Sequence, residues 1–125
     1  REFQRHTTQW GMGKNFDRTG GFGPWMVSAD EVPAGAKGLK ITTRLNGTTM
    51  QSDNTANMIF PVAETLVDLT QAMTLMPGDV IVTGTPSGVG HARKPPLWMK
   101  HGDVCEIEIE GVGTLVNPIE DEKKA

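Results

Sequence analysis

The clearest alternation of apolar and polar positions lies near the end of the chain, in "GDVCEIEIEGVGTLVNPI", residues 102–119. Cys105, Ile107 and Ile109 fall on one side, and Glu106, Glu108 and Glu110 on the other. Successive strand residues point to opposite faces, so this pattern predicts a half-buried strand, and the turn at Gly111 to Gly113 returns the chain as a second strand. A second hairpin is predicted over residues 39–50, "LKITTRLNGTTM". Its β-branched residues flank Asn46-Gly47, the dipeptide that most readily takes the positive φ angles of a tight turn.

Between the two hairpins the period changes. Val62, Leu66, Leu69 and Met73 recur at spacings of four, three and four, which predicts a helix of three to four turns. Pro61 is acceptable in a first turn, and Pro77-Gly78 closes the run. The apolar stripe should pack on a sheet, with its leucines and methionines serving as core. "DVIVTG" (79–84) then reads as a continuous apolar strand with both faces covered. The first 33 residues are rich in glycine and aromatic side chains, and only "PWMVSADEV" has strand character. The order is loop, strand, hairpin, helix, strand, long loop and hairpin. Strands outnumber helices and do not alternate with them, so an antiparallel or mixed sheet with one helix is favoured over a doubly wound fold.

Length and composition narrow the function. A chain of 125 residues with 37% apolar content supports one domain with a modest core. Twelve basic and 15 acidic residues give a net charge of −3 without a long single-sign block, against a nucleic-acid-binding or membrane-surface module. No apolar run approaches the ~18 residues of a membrane span, and a single cysteine cannot form an internal disulfide. Both point to a reducing, cytoplasmic setting. The chain begins at Arg1 without an initiator Met, and it is read as truncated at its N-terminus.

Candidate chemistry centres on two glycine-rich loops. "GTPSGVGHAR" lacks the Lys and following hydroxyl of a phosphate loop, and the prolines of "HARKPP" forbid the early helix of a dinucleotide fold. What remains is a strand-end ligand loop, where Gly84 lets a ligand approach the backbone and Thr83, Thr85 and Ser87 offer hydroxyls. Near the N-terminus, Arg1 and Gln4 share a side if that segment makes one helical turn, and Lys14 follows in "GMGKNFD". Together they would supply two cations and an amide to an oxygen-rich anion, although each alone is equally an ordinary surface residue. Glu106, Glu108 and Glu110 are spaced to share a face, but solvated alternation explains them more simply than a carboxylate metal site. Cys105 shares the isoleucine face and reads as a small core residue rather than a nucleophile. His6, His91 and His101 follow no ligand spacing.

"REFQ", "GKNFD", "GPWMVSADEVP", "LNGTTMQSDNTANMIF", "PGDVIVTGTPSGVG" and "KPPLWMKHGDVCEIEIEGVGTLVNPI", in that order, resemble the C-terminal half of the fumarylacetoacetate hydrolase family over essentially the whole chain. The "KPP" is most similar to a bacterial catabolic branch containing fumarylpyruvate hydrolases, ureidoglycolate-lyase-like proteins and an isomerase/decarboxylase of homoprotocatechuate breakdown. The resemblance implies an α+β, mainly β fold, a mixed β-roll with one principal helix, with residues 1–125 forming the C-terminal part of the catalytic domain. It also implies a homodimer, a small keto-acid or dicarboxylate substrate, and a divalent metal such as Mg, Mn or Ca. The implied reaction is C–C hydrolysis of a β-diketo or enol acid, or an isomerase/decarboxylase variant of that chemistry.

Carried across on matching positions, Arg1 and Gln4 would hold substrate oxygens, Lys14 would stabilise the developing negative charge, and Thr85 with Gly84 would receive a substrate carboxylate. Glu2 stands where the family has Asp. The family's metal ligands, an E-x-E pair and an aspartate, lie upstream of the position of Arg1, as do its water-activating His and Glu; Glu106-x-Glu108 sits in a different strand and is no substitute. The rival expectations are a non-catalytic β-rich ligand-binding or structural domain, and an inert fragment that completes a larger assembly.

Overall fold

The computed structural model describes residues 2–122. Both expected hairpins form and join edge to edge. β1 (Lys40–Leu45) and β2 (Thr48–Asn54) make the first, while β3 (Val104–Ile109) and β4 (Gly113–Pro118) make the second. They give one four-stranded antiparallel sheet in the order β2-β1-β3-β4. With one principal helix, the fold is mainly β, as expected.

Asn46 and Gly47 turn the first hairpin with φ of 50° and 76°, the paired positive angles that match strand twist. Asn46 also ties this turn to β3. Its amide donates to Asp103 Oδ1 at 2.8 Å, its carbonyl oxygen accepts from Val104 N at 2.8 Å, and its backbone N donates to Val104 O at 2.9 Å.

The register separates the two faces as the alternation required. Ile41, Thr43 and Leu45 pair with Ile109, Ile107 and Cys105, and Thr42 and Arg44 pair with Glu108 and Glu106. The glutamate face is held by polar contacts: Arg44 and Glu108 form an ion pair at 2.6 Å, and Glu110 Oε2 accepts from Lys40 N at 3.0 Å. The side chains most removed from solvent on this sheet and its entry are Leu39, Thr42 and Leu45.

β2 carries a bulge. Thr43 pairs with Gln51 and Arg44 with Thr49, so Met50 has no partner in β1. The Arg93 guanidinium donates to the Met50 carbonyl and, through Nε, to Gly88 O at 3.1 Å. The loop after residue 84 therefore caps the outer edge of β2, which would otherwise present unpaired backbone groups.

Three expectations need correction. Residues 79–84 form no strand, and Val80 and Val82 are 61% and 86% exposed. A continuous apolar run signals a demand for cover, but a strand also needs a neighbour to bond, and none stands beside it among the described residues. "PWMVSADEV" is likewise not a strand. It is pinned by one side chain, with Trp25 Nε1 donating to Val112 O at 2.6 Å and the indole lying over Gly113. The third correction concerns the helix, α2 (Val62–Ala72), which is three turns long. It lies chiefly against the 3-10 turn Ala34–Ala36 rather than on the sheet, and Leu66 and Val67 stay exposed. Its last predicted stripe residue, Met73, is already extended, because the helix stops well before Pro77.

Candidate active site

A cavity of about 610 Å³ opens over the isoleucine face of the sheet. Ile41 and Asp53, paired across β1 and β2, form its floor. Ile59, Phe60 and Val82 give it apolar walls, and Thr83, Gly84, Thr85 and Ser87 bring hydroxyls and backbone to its rim. The sequence-predicted loop thus lines a cavity. Gly84 makes the turn possible: its φ is 99°, a region that favours glycine, and no atom lies within 4 Å of where a Cβ would stand. That open space is where a ligand can approach the backbone.

The threonine hydroxyl is oriented by β2. The Gln51 amide nitrogen donates to Thr85 Oγ1 at 2.9 Å and to Pro86 O at 2.6 Å, with a longer contact to Ser87 O at 3.4 Å. Asp53, on the same side of β2, is held ionised: the Asn57 side chain first, and then the Asn54 backbone N–H, keep its carboxyl below the ordinary value. Both donors converge on Oδ1, at 2.7 Å. The cavity therefore pairs an anchored carboxylate with neutral hydroxyl donors.

Of the N-terminal candidates, Gln4 lies in the single helical turn α1 (Glu2–Arg5) and is 8% exposed. It packs so closely on Gly13 that a Cβ there would strike Gln4 Cγ and stand 2.9 Å from its backbone N. Lys14 ends the following 3-10 turn, Trp10–Lys14, in an exposed position. Phe3 and Phe16, edge to face at 5.0 Å, bracket the pair of turns. Arg1 lies outside the described residues. Neither Gln4 nor Lys14 lines the cavity that contains Thr85. The two regions are linked instead through Arg5, whose guanidinium lies 3.2 Å from His91 Nε2 in the 3-10 turn Gly90–Ala92 beyond the threonine loop.

Gln51, Asp53 and Arg93 were not singled out from the sequence. The two polar residues at alternate positions just after a predicted hairpin were the available signal. Among the described residues, no group of three His, Cys, Asp or Glu side chains is placed to hold a metal ion. Glu108, on the opposite face of the sheet, is engaged with Arg44. Burial first, and then the charge of Glu106, push the Cys105 thiol up, in keeping with a packing role. No helix among the described residues is long and apolar enough to cross a membrane.

Residues 1–120 match the family model described as fumarylacetoacetate (FAA) hydrolase C-terminal, and the chain belongs to the fumarylacetoacetate hydrolase family. It is 46% identical over 115 residues to a Bos taurus protein named oxaloacetate tautomerase FAHD2A, mitochondrial, covering 92% of this chain and 36% of that one. Among solved structures, it is similar to a fumarylacetoacetate hydrolase from psychrophilic Exiguobacterium antarcticum, with TM-score 0.91 and 40% identity over 97% of this chain and 43% of the other. A 2-hydroxyhepta-2,4-diene-1,7-dioate isomerase from Mycobacterium marinum matches with TM-score 0.85 and 37% identity, over 98% and 44%. The chain thus spans about a third of the curated relative and under half of either solved chain. The family includes proteins named as hydrolases, isomerases and tautomerases.

Proposed function

We propose that this chain is the carboxylate-receiving part of an enzyme that runs enolate chemistry on a small keto or enol dicarboxylic acid. The observation that carries the reading is the Thr83–Ser87 loop, turned by Gly84 so that hydroxyl donors rim a cavity with apolar walls. A cavity with few, placed polar groups suits a small acid whose ends are polar and whose reacting carbons are not. In this reading the Thr85 hydroxyl and the backbone at Gly84 take one substrate carboxylate. Gln4 and Arg1 hold further substrate oxygens, and the Lys14 ammonium, which like Gln4 lies outside the Thr85 cavity, stabilises negative charge as it develops on the enol oxygen at the substrate's other end.

Keto-enol interconversion of oxaloacetate is the reaction to test first, given the tautomerase name of the 46% identical relative. C–C hydrolysis of a β-diketo acid is the second reading, supported by the hydrolase name of the Exiguobacterium structure. The proposal extends to a homodimer, to a reducing compartment, for which free Cys105 is the support, and to a divalent metal in the full-length enzyme. Among the described residues no His, Cys, Asp or Glu side chains group to hold that metal.

The test is Lys14→Ala in the full-length protein, with disappearance of enol oxaloacetate followed by ultraviolet absorbance. Turnover should fall by about 10²-fold or more, the usual loss when one charge-stabilising donor is removed, with the circular dichroism spectrum unchanged. Unchanged turnover would sink the catalytic role of Lys14, and a wild-type protein that leaves both oxaloacetate and an acylpyruvate untouched would favour the non-catalytic binding domain.

A further inference from the structure

We infer that Gln51 is a positioning residue that fixes the direction in which Thr85 donates its proton, which deepens the carboxylate-binding reading above and rests on it. The Gln51 group that meets the loop faces three oxygens: Thr85 Oγ1 at 2.9 Å, Pro86 O at 2.6 Å and Ser87 O at 3.4 Å. Two of these are carbonyls and can only accept. The side chain must therefore present its NH₂ and not its oxygen, so the amide orientation follows from the chemistry of the acceptors. Thr85 Oγ1 consequently receives an N–H, and its own O–H is released to donate elsewhere. Thr85 lines the cavity, so its hydroxyl can donate into that space. A hydroxyl that already accepts one N–H is polarised toward donating its own proton, so Thr85 is ready to donate to a carboxylate oxygen placed in the cavity.

The backbone aims Gln51 at this task. Met50 is the bulge residue of β2, and the extra residue sets where the strand resumes pairing, with Gln51 opposite Thr43. Arg93 holds the other end of the loop, at Gly88 and Met50. The segment 85–88 is thus fastened to one edge strand at both ends, with Thr85 as the end that Gln51 holds.

The test uses the full-length protein with oxaloacetate as probe and the variants Gln51→Ala, Gln51→Met, Thr85→Ala and the double Gln51→Met/Thr85→Ala. Losing one oriented hydrogen bond should raise KM by about tenfold while kcat changes by less than about twofold. Because Gln51 acts through Thr85, the double variant should be no worse than Thr85→Ala, within about twofold. Multiplying effects in the double variant, or an unchanged KM in Gln51→Met, would overturn the inference. Gln51→Met keeps the side-chain volume and serves if Gln51→Ala does not fold. If the wild type neither binds nor converts oxaloacetate, the substrate reading fails by itself, and a crystal structure of Gln51→Met decides the positioning role. Thr85 should leave its place by about 1 Å or more, and a superimposable Thr85 refutes it.

Discussion

Gly113→Ala should destabilise the protein, and by an amount that depends on Trp25. Gly113 has φ of 132°, so any L side chain there is strained, at a cost of about 1–3 kcal/mol. The added methyl would also stand 2.5 Å from Trp25 Cζ2 and 3.0 Å from Cε2, inside contact distance, so the indole must move. Moving it breaks the 2.6 Å bond from Nε1 to Val112 O, about 1 kcal/mol net, and lifts the ring from the β3–β4 turn. The expected loss is about 2–4 kcal/mol. The two components separate in a cycle of Gly113→Ala, Trp25→Ala and the double variant, with unfolding free energies from urea titration of all four proteins. With the indole gone only the backbone strain remains, so Gly113→Ala should cost about 1 kcal/mol less in the Trp25→Ala background than in the wild type. Additivity within about 0.5 kcal/mol would show that the indole does not occupy the space of the missing Cβ, and would refute the reasoning.

Two further outcomes follow from the same geometry. Asn46→Ala should lower the urea midpoint more than Asn46→Gly, since both lose the ties to Asp103 and Val104 but only alanine is strained at φ 50°. The Asn46 amide, followed by the Lys100 backbone N–H, keeps the Asp103 carboxyl below its ordinary 3.8. A lowered folded value stabilises fully above the unfolded one and fades as pH falls through it, so the gap between wild type and Asn46→Ala should narrow in acid; a gap that widens below pH 3.8 would contradict the assignment. Cys105, its thiol pushed up by burial, should react with iodoacetamide at pH 7.5 more slowly in the folded protein than in urea; equal rates would argue against a packed thiol.

The hairpins were legible because their signals are local. Alternation through Glu106, Ile107, Glu108 and Ile109 and the Asn46-Gly47 turn need no distant partner to be read. The reading failed where cover or pairing had to come from elsewhere. Val80 and Val82 have strand-forming side chains but no neighbouring strand among the described residues, and α2 rests on a short 3-10 turn rather than a sheet. The site divides in the same way. Gly84 and the hydroxyls of Thr83, Thr85 and Ser87 were legible from residue type at the end of an apolar run, and the choice of Thr85 among them is what the family resemblance implies. Gln51 was not, because its role depends on the bulge at Met50, an irregularity of pairing that the spelling of one strand does not reveal.

The join between β1 and β3 also orders events in time. Each hairpin closes locally, the first across the two residues Asn46 and Gly47, whereas Thr43 meets Ile107 from 64 residues away. The entropy of such a closure grows only with the logarithm of its length, but it is spent before the new contacts repay it. Two preformed hairpins meeting edge to edge, with the helix and the threonine loop carried in the strand-to-strand connection, are the expected slow step of folding. The cavity over Ile41, which needs both β2 and that connection in place, is then expected among the last features of the chain to form.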